Sequence, residues 1–274
     1  MTETWRVSAL TSALRCGEAY RRRYLEKEGR PPTTALIRGS AVHRAIGVGM
    51  LLQKDSGAVQ PPDLMEDVAA TEVDRARHGG ATLTADEASA GLASTWGELK
   101  DAAATYAGGY ARQVAPAVRP VAVEQRLTVT GLIPGIDLQG TIDLVTDEND
   151  GGYQKIRDAK TSGRTPAQNA ADVSSQLTMY SLLQSVKAEK PVTRVGLDVL
   201  VRHKGTGVVT AVHRASTRGP ADFKALLARI QVVASAVRAG IFLPADPATD
   251  WFCSETWCEY WHTCPFSFGP SRRG

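Results

Sequence analysis

Two aspartates and a lysine carry the most chemistry in this chain: Asp143 in "GTIDLV", and Asp158 and Lys160 in "RDAKTS". If residues 153–160 form a strand, Asp158 and Lys160 share one face and Ala159 points away. Asp143 lies in the strand-like segment just before, so the two carboxylates can converge on one divalent cation. Mg²⁺ suits such a pair because it takes oxygen ligands at about 2.1 Å and keeps several waters. The cation offsets the repulsion between the acids and lowers the pKa of a bound water. Lys160 then stands beside that water or a phosphate as a point charge against developing negative charge. A phosphodiester is the substrate this set fits. The same D-x-K also occurs on ordinary surface strands, where a cross-strand ion pair stabilises little, so the surrounding residues must decide.

A second set is the cysteines at 16, 253, 258 and 264. Three fall within "CSETWCEYWHTC", spaced C-x4-C-x5-C, and one stands near the N-terminus. In a reducing interior such thiols are not expected to form disulfides. The trio needs a fourth ligand, Cys16 or His262, to complete a tetrahedral site, and zinc and iron–sulfur clusters both accept four thiolates. Treated as a crosslink, a bond between Cys16 and Cys253 removes unfolded-state entropy worth about 5 kcal/mol. Beside Cys16, the stretch "RCGEAYRRR" places Arg15, Arg21, Arg22 and Arg23 together, and the chain ends "SRRG". Local charge of this kind neutralises phosphates; a solvated helix face is the other reading.

The elements that must position these residues follow from periodicity and breakers. Residues 5–28 read as a helix with Ser8 as N-cap, and "GRPPTT" breaks it. A second helix starts near Ser40, and two more span about 63–78 and 85–113. Alternation in "VRPVAVEQRLTV", then "GIDLQGTIDLVTD" and "GYQKIRDAKTS" joined by "DENDGG", predicts a strand meander. A helix over 171–189, strands "VTRVGLDVLVRH" and "GVVTAVHRA", and a helix over 219–239 lead to the cysteine-rich end. This order predicts an α/β chain with a central mixed β-sheet flanked by helices. It divides into a helical part (1–115) holding the first cysteine, a core (116–240) and a cysteine-rich segment (241–274) that packs back on the start.

The totals set outer limits. The chain has 274 residues, 43% hydrophobic and 22% charged, with a net charge of +3, which describes a globular protein with a sizeable core. No run of about 18 apolar residues suggests a membrane span. The start, "MTETWRVSAL", lacks a basic stretch followed by an apolar one, so a cytoplasmic location is expected. The Ala-, Arg- and Val-rich composition suits a GC-rich bacterial or phage genome.

"GTID" with Asp143 followed by "RDAKTS" resembles the signature of the PD-(D/E)XK nuclease superfamily, and further pieces resemble its RecB-like branch in the same order. "RGSAVHRAI" is similar to the branch's G-x-x-x-H helix, which implies His43 as an added metal ligand. "SSQLTMY" is similar to its Q-x-x-x-Y motif through Gln176 and Tyr180, four apart and so on one helical face. "AVEQRL" resembles the acidic strand before the first catalytic aspartate, with Glu124 the matching acid. The resemblance spans about Cys16 to Cys264. It implies a restriction-endonuclease-like core and metal-dependent cleavage of DNA, as an exonuclease in recombination, repair or phage DNA processing. Asp143, Asp158 and His43, with the Ala159 carbonyl, would hold Mg²⁺ or Mn²⁺. Lys160 would orient or activate water, and Gln176 and Tyr180 would support the lysine or the DNA. It also implies that Cys16, Cys253, Cys258 and Cys264 hold a [4Fe–4S] cluster, as in AddB-type helicase-nucleases and CRISPR-associated exonucleases, although the first C-terminal pair there is C-x2-C. Arg21, Arg22 and Arg23 would then line a DNA channel. No helicase P-loop is present, so unwinding would need a helicase or recombination partner. Two other readings stand beside this one: a nuclease-fold DNA-binding or assembly module without chemistry, and a zinc-stapled structural protein.

Overall fold

The computed structural model describes residues 3–148 and 153–269; the tip of the "DENDGG" turn and the "SRRG" tail lie outside them. A six-stranded mixed sheet forms the centre, in the order β1-β3-β4-β5-β6, with β2 also on β3. The strands are β1 (Glu3–Arg6), β2 (Arg119–Ile133), β3 (Ile136–Glu148), β4 (Tyr153–Ser162), β5 (Arg194–Arg202) and β6 (Val209–Thr217). β1 runs parallel to β3 and β4 parallel to β5; the other pairs are antiparallel.

The registers open a gap. β2 pairs along one edge of β3, from Ile136 to Asp147. The other edge is shared: β1 takes Ile136–Gln139 and β4 takes Leu144–Glu148. Residues 140–143 therefore have no ladder partner on that side, and Asp143 ends the gap. The β3–β4 ladder stops at Leu144 and Arg157; one step further it would have set Asp143 against Asp158. The strands part where the two acids lie.

Two apolar layers sandwich the sheet. On one face, α1 (Val7–Arg15), α7 (Ser175–Lys187) and α8 (Pro220–Arg238) cover Ile142, Val145, Ile156 and Val195 with Leu10, Leu177, Leu183 and Ile230. On the other, α3 (Thr34–Ser56), α4 (Pro62–Arg77) and α6 (Leu92–Gln113) cover Leu144, Ala159 and Leu200 with Val42, Met50, Met65 and Tyr110. α3 is apolar and long enough to cross a bilayer, but half of its most apolar window is buried in protein, as a core helix requires. Gly140 is needed for closure of the first layer: a Cβ there would lie 2.8 Å from Leu183 Cδ1 and 2.9 Å from Val7 Cγ2.

The first helix differs from the expectation. Residues 5–28 are broken into the short strand β1, α1, α2 (Gly17–Tyr20) and a π-helical turn at Arg21–Leu25. Cys16 is extended between α1 and α2, because Gly17 must pass the chain's far end. Its N–H donates to the Leu243 carbonyl at 2.7 Å, and a Cβ would stand 2.7 Å from Leu243 N. α3 begins at Thr34, not near Ser40, since Thr33 accepts from the Leu36 N–H as N-cap. Residues 85–113 form α5 (Ala85–Ala90) and α6, parted by Gly91 at φ 86°, and α7 starts at Ser175 behind its cap Ser174.

Candidate active site

The gap in the sheet collects the predicted acids. Asp158, on β4, is 1% exposed, and the Asp143 side chain is 19% exposed. His43, one face of α3, brings Nδ1 to 3.1 Å from Asp143 Oδ2. Lys160 Nζ donates to Asp158 Oδ1 at 3.1 Å and stands 2.8 Å from Oδ2. Nζ also donates to Gln176 Oε1 at 3.1 Å, and Gln176 Nε2 donates to the Tyr180 hydroxyl at 2.9 Å. Asp158, Lys160, Gln176 and Tyr180 thus form one hydrogen-bonded chain from β4 to α7. The first turn of α7 aims it: residues 176 and 180 are one helical turn apart, and Ser174 fixes where that turn begins.

Electrostatics separates the two acids. Burial raises the Asp158 carboxyl, Lys160 pulls it down and Asp143 pushes it up again, for a net rise from 3.8 to about 6. Burial also raises Asp143, but the contact and charge of His43 outweigh it and hold the group below its ordinary value. His43 in turn is raised, since Asp143 more than offsets its burial. Lys160 is disfavoured by burial, yet Asp158 and Asp143 push its pKa upward, so it carries a proton at neutral pH. Its side chain is 41% exposed, which makes it the end of the chain that solvent reaches.

Asp143 Oδ2 and Asp158 Oδ2 are buried with no properly angled hydrogen bond; the nearby His43 and Lys160 atoms are charge contacts only. Unsatisfied buried carboxylate oxygens are costly, and a hard cation is the partner that oxygen donors accept. Among the described residues no three His, Cys, Asp or Glu side chains already stand as a complete metal-ligand group. The donor set nonetheless fits Mg²⁺ or Mn²⁺: two carboxylates side by side, with an imidazole adjoining. Ala159 lies between Asp158 and Lys160 with its methyl in the opposite core.

Glu124 has a distinct conformation. It sits on β2 between Val123, paired with Leu144, and Gln125, paired with Ile142, and so faces Asp143. Its φ is 49°, a left-handed backbone that a glutamate adopts only when its surroundings impose it. The side chain passes Gly47 on α3: a Cβ there would lie 3.4 Å from Glu124 Oε1. Lost hydration raises its carboxyl and the Asp143 charge adds to this.

The three arginines expected along a DNA channel are each ion-paired. Arg21 bonds to Glu18 at 2.8 Å and also to Glu26. Arg22 is 8% exposed, bonded to Glu28 at 2.6 Å and Thr263 at 2.9 Å and stacked over Tyr260. Arg23 pairs with Glu259 at 3.2 Å. Each charge is met by a carboxylate, and the buried Arg22 cannot meet a phosphate without unpacking. Arg22 and Arg23 tie the N-terminal turn to the C-terminal segment through Thr263, Tyr260 and Glu259, while both partners of Arg21 lie within the N-terminal turn.

The four cysteines form no disulfide and line one narrow cavity with Ala245 and Tyr260. Cys16 Sγ accepts N–H bonds from Ala19 at 3.4 Å and Ala245 at 3.3 Å. Burial raises Cys253 to about 11 and Cys258 to about 12, and neighbouring cysteines push Cys253 the same way. His262 is not in this cavity and instead approaches Glu255 at 3.5 Å. Sequence reasoning missed a buried network under the site: Asp198 on β5 receives Arg157 at 2.7 and 2.9 Å and stands 2.7 Å from His213 Nδ1. It ties β4 to β5 and β6 on the face opposite Asp158. Its only sequence signal was charge inside apolar strands.

Comparison with known proteins adds the family. Among curated proteins none matches the chain. Two solved structures are similar, the protein SSO0001 (14% identity, TM-score 0.45, 97% of this chain and 87% of that one) and a candidate exonuclease from Eubacterium rectale (11%, TM-score 0.47, 92% and 87%). Both likenesses are too distant to carry the argument. The family model does carry it: that of the PD-(D/E)XK nuclease superfamily matches residues 4–265, nearly the whole chain. The chain therefore belongs to the PD-(D/E)XK nuclease superfamily.

Proposed function

We propose that this protein is a divalent-metal-dependent DNA exonuclease. The observation that carries this reading is the hydrogen-bonded chain Asp158–Lys160–Gln176–Tyr180 beside the His43–Asp143 pair, with two buried carboxylate oxygens that accept no hydrogen bond and meet only charge contacts. Asp143, Asp158, His43 and the Ala159 carbonyl would hold Mg²⁺ or Mn²⁺, which supplies Lewis acidity and a more acidic water when bound. Lys160 keeps its proton, so it acts by orienting the nucleophile and stabilising charge on the phosphate rather than as a base. Gln176 holds Nζ in place from the far side, and the buried Tyr180 holds Gln176. Preorganising one cationic group in this way costs no reorganisation during the reaction.

We infer a [4Fe–4S] cluster as the second cofactor from the four thiols that border one space; the two N–H bonds to Cys16 suit a thiolate ligand. The cluster's contribution is a crosslink between chain ends. Zinc is the alternative occupant.

End-labelled linear and closed circular DNA, incubated with Mg²⁺ or Mn²⁺ under anaerobic conditions, test the proposal. Loss of linear DNA alone, by wild type and not by Lys160→Ala, is the expected result. Cutting of circles would make the protein an endonuclease, and inertness of a protein that still binds DNA would make it a binding module.

A further inference from the structure

A groove runs along α1 beside the candidate active site. One wall is a single helical face at i, i+4, i+7 spacing, Ser8, Ser12 and Arg15, with Thr11 beside it; the other is built from the cysteine-rich segment by Phe252, Trp257 and Tyr260. At its rim Trp251 is 62% exposed and meets Trp257 and Phe252 edge to face, with ring centroids 5.3 and 5.8 Å apart. The Arg15 guanidinium sits 5.2 Å from the Trp251 ring and 4.7 Å from Phe252. Arg15 has no carboxylate partner among the described residues, unlike Arg21, Arg22 and Arg23. Arg23 also lines the groove, its side chain 47% exposed and paired with the one acid in the wall, Glu259.

The groove runs toward the site. At the other end of α1, Ser8 also borders a polar cleft with Arg6, Arg126, Thr141 and Tyr180. That cleft holds Gly140 and Thr141 of the β3 gap and Tyr180, the end of the hydrogen-bonded chain that reaches Lys160. Hydroxyls and an unpaired arginine on one wall and aromatic rings on the other are the two halves of a single-strand site: cations and hydroxyls for phosphates, rings for bases. A duplex cannot use the second half, because its base faces are already stacked.

We propose that the groove between α1 and the cysteine-rich segment binds unpaired DNA, with Trp251 stacking on a base and Arg15 meeting the adjacent phosphate, and so feeds a single strand past Lys160. This rests on the nuclease reading and adds the substrate class. The test is fluorescence anisotropy in EDTA, where nothing is cut, using a labelled 15-nucleotide single strand and its blunt duplex. Trp251→Ala is expected to weaken single-strand binding about tenfold or more, to leave the salt slope and the duplex unaffected, and to be restored by Trp251→Phe. Arg15→Gln is expected to lower the salt slope by about one. Far-UV circular dichroism checks each fold. If Trp251→Ala binds like wild type, or weakens strand and duplex alike, the subsite is wrong whatever the protein cuts. If these effects appear but wild type cuts no DNA with metal, the subsite stands and the nuclease reading fails.

Discussion

Replacing Asp158 by asparagine should stabilise the metal-free protein. The reasoning starts from burial: the side chain is 1% exposed, and its pKa rises from 3.8 to about 6 even with Lys160 beside it. That difference is the free energy by which the fold disfavours the charged form, on the order of 3 kcal/mol. The attraction of Lys160 is already included, so its loss in Asp158→Asn is not counted again. The sign follows from linkage. The penalty is absent below the unfolded value, about pH 4, and full above about pH 6. At pH 7.5 in EDTA, Asp158→Asn should therefore melt up to roughly 6–9 °C above wild type, and the gap should close as the pH falls from 6 to 4. Mg²⁺ reverses the order of effects. Saturation a hundredfold above Kd stabilises a protein by about 2.7 kcal/mol, so wild type should gain most of what asparagine gained, while the variant gains little. Differential scanning calorimetry with and without Mg²⁺ reads both. Equal or lower stability of the variant in EDTA would refute the idea that this acid is held at a cost for the sake of a cation.

Three further outcomes test neighbouring parts. Gln176→Ala frees Nζ of Lys160 on one side and should lower kcat up to about a hundredfold with DNA affinity unchanged, measured by single-turnover cleavage against anisotropy. Glu124→Gly removes a left-handed glutamate and should raise stability by about 1 kcal/mol at most while slowing cleavage; unaltered cleavage would separate Glu124 from the site. Gly17→Ala drives a methyl into the Leu243 backbone and should cost about 1–3 kcal/mol by urea unfolding.

The sheet and the site were legible to different depths. The D-x-K strand, the Gln176–Tyr180 helix and His43 could be read because their chemistry lies in residue type and short spacing, and the fold sets the chain Asp158–Lys160–Gln176–Tyr180 beside the His43–Asp143 pair. β1 was not legible: four residues carry no periodicity, and only pairing with Ile136–Gln139 makes them a strand. The break at Cys16 was hidden because its cause, the Leu243 backbone, lies more than two hundred residues away. Arg21, Arg22 and Arg23 were read as DNA contacts because sequence shows charge but not partners; Glu18, Glu26, Glu28 and Glu259 were visible, yet which acid each arginine meets is a tertiary fact. Glu124 was read by likeness, but its strained backbone has no sequence signal, since nothing in "AVEQRL" asks for φ near 50°.

The arginine contacts bear on what the cysteine-rich segment does. Arg22 and Arg23 are the polar half of a clamp: Arg22 lies on Tyr260 and bonds Thr263, Arg23 holds Glu259 at the edge of the groove, and the Tyr260 hydroxyl donates to the Glu28 carbonyl. With the proposed cluster bound, the cysteines would close the other half, and the same segment carries Trp251, Phe252 and Trp257. One structural device would then build both the chain-end crosslink and the aromatic wall of the groove. Cys264→Ser should then weaken single-strand binding together with stability. A Cys264→Ser protein with lowered stability but wild-type affinity would show the wall to be independent of the crosslink, so the two losses must be measured on the same preparation.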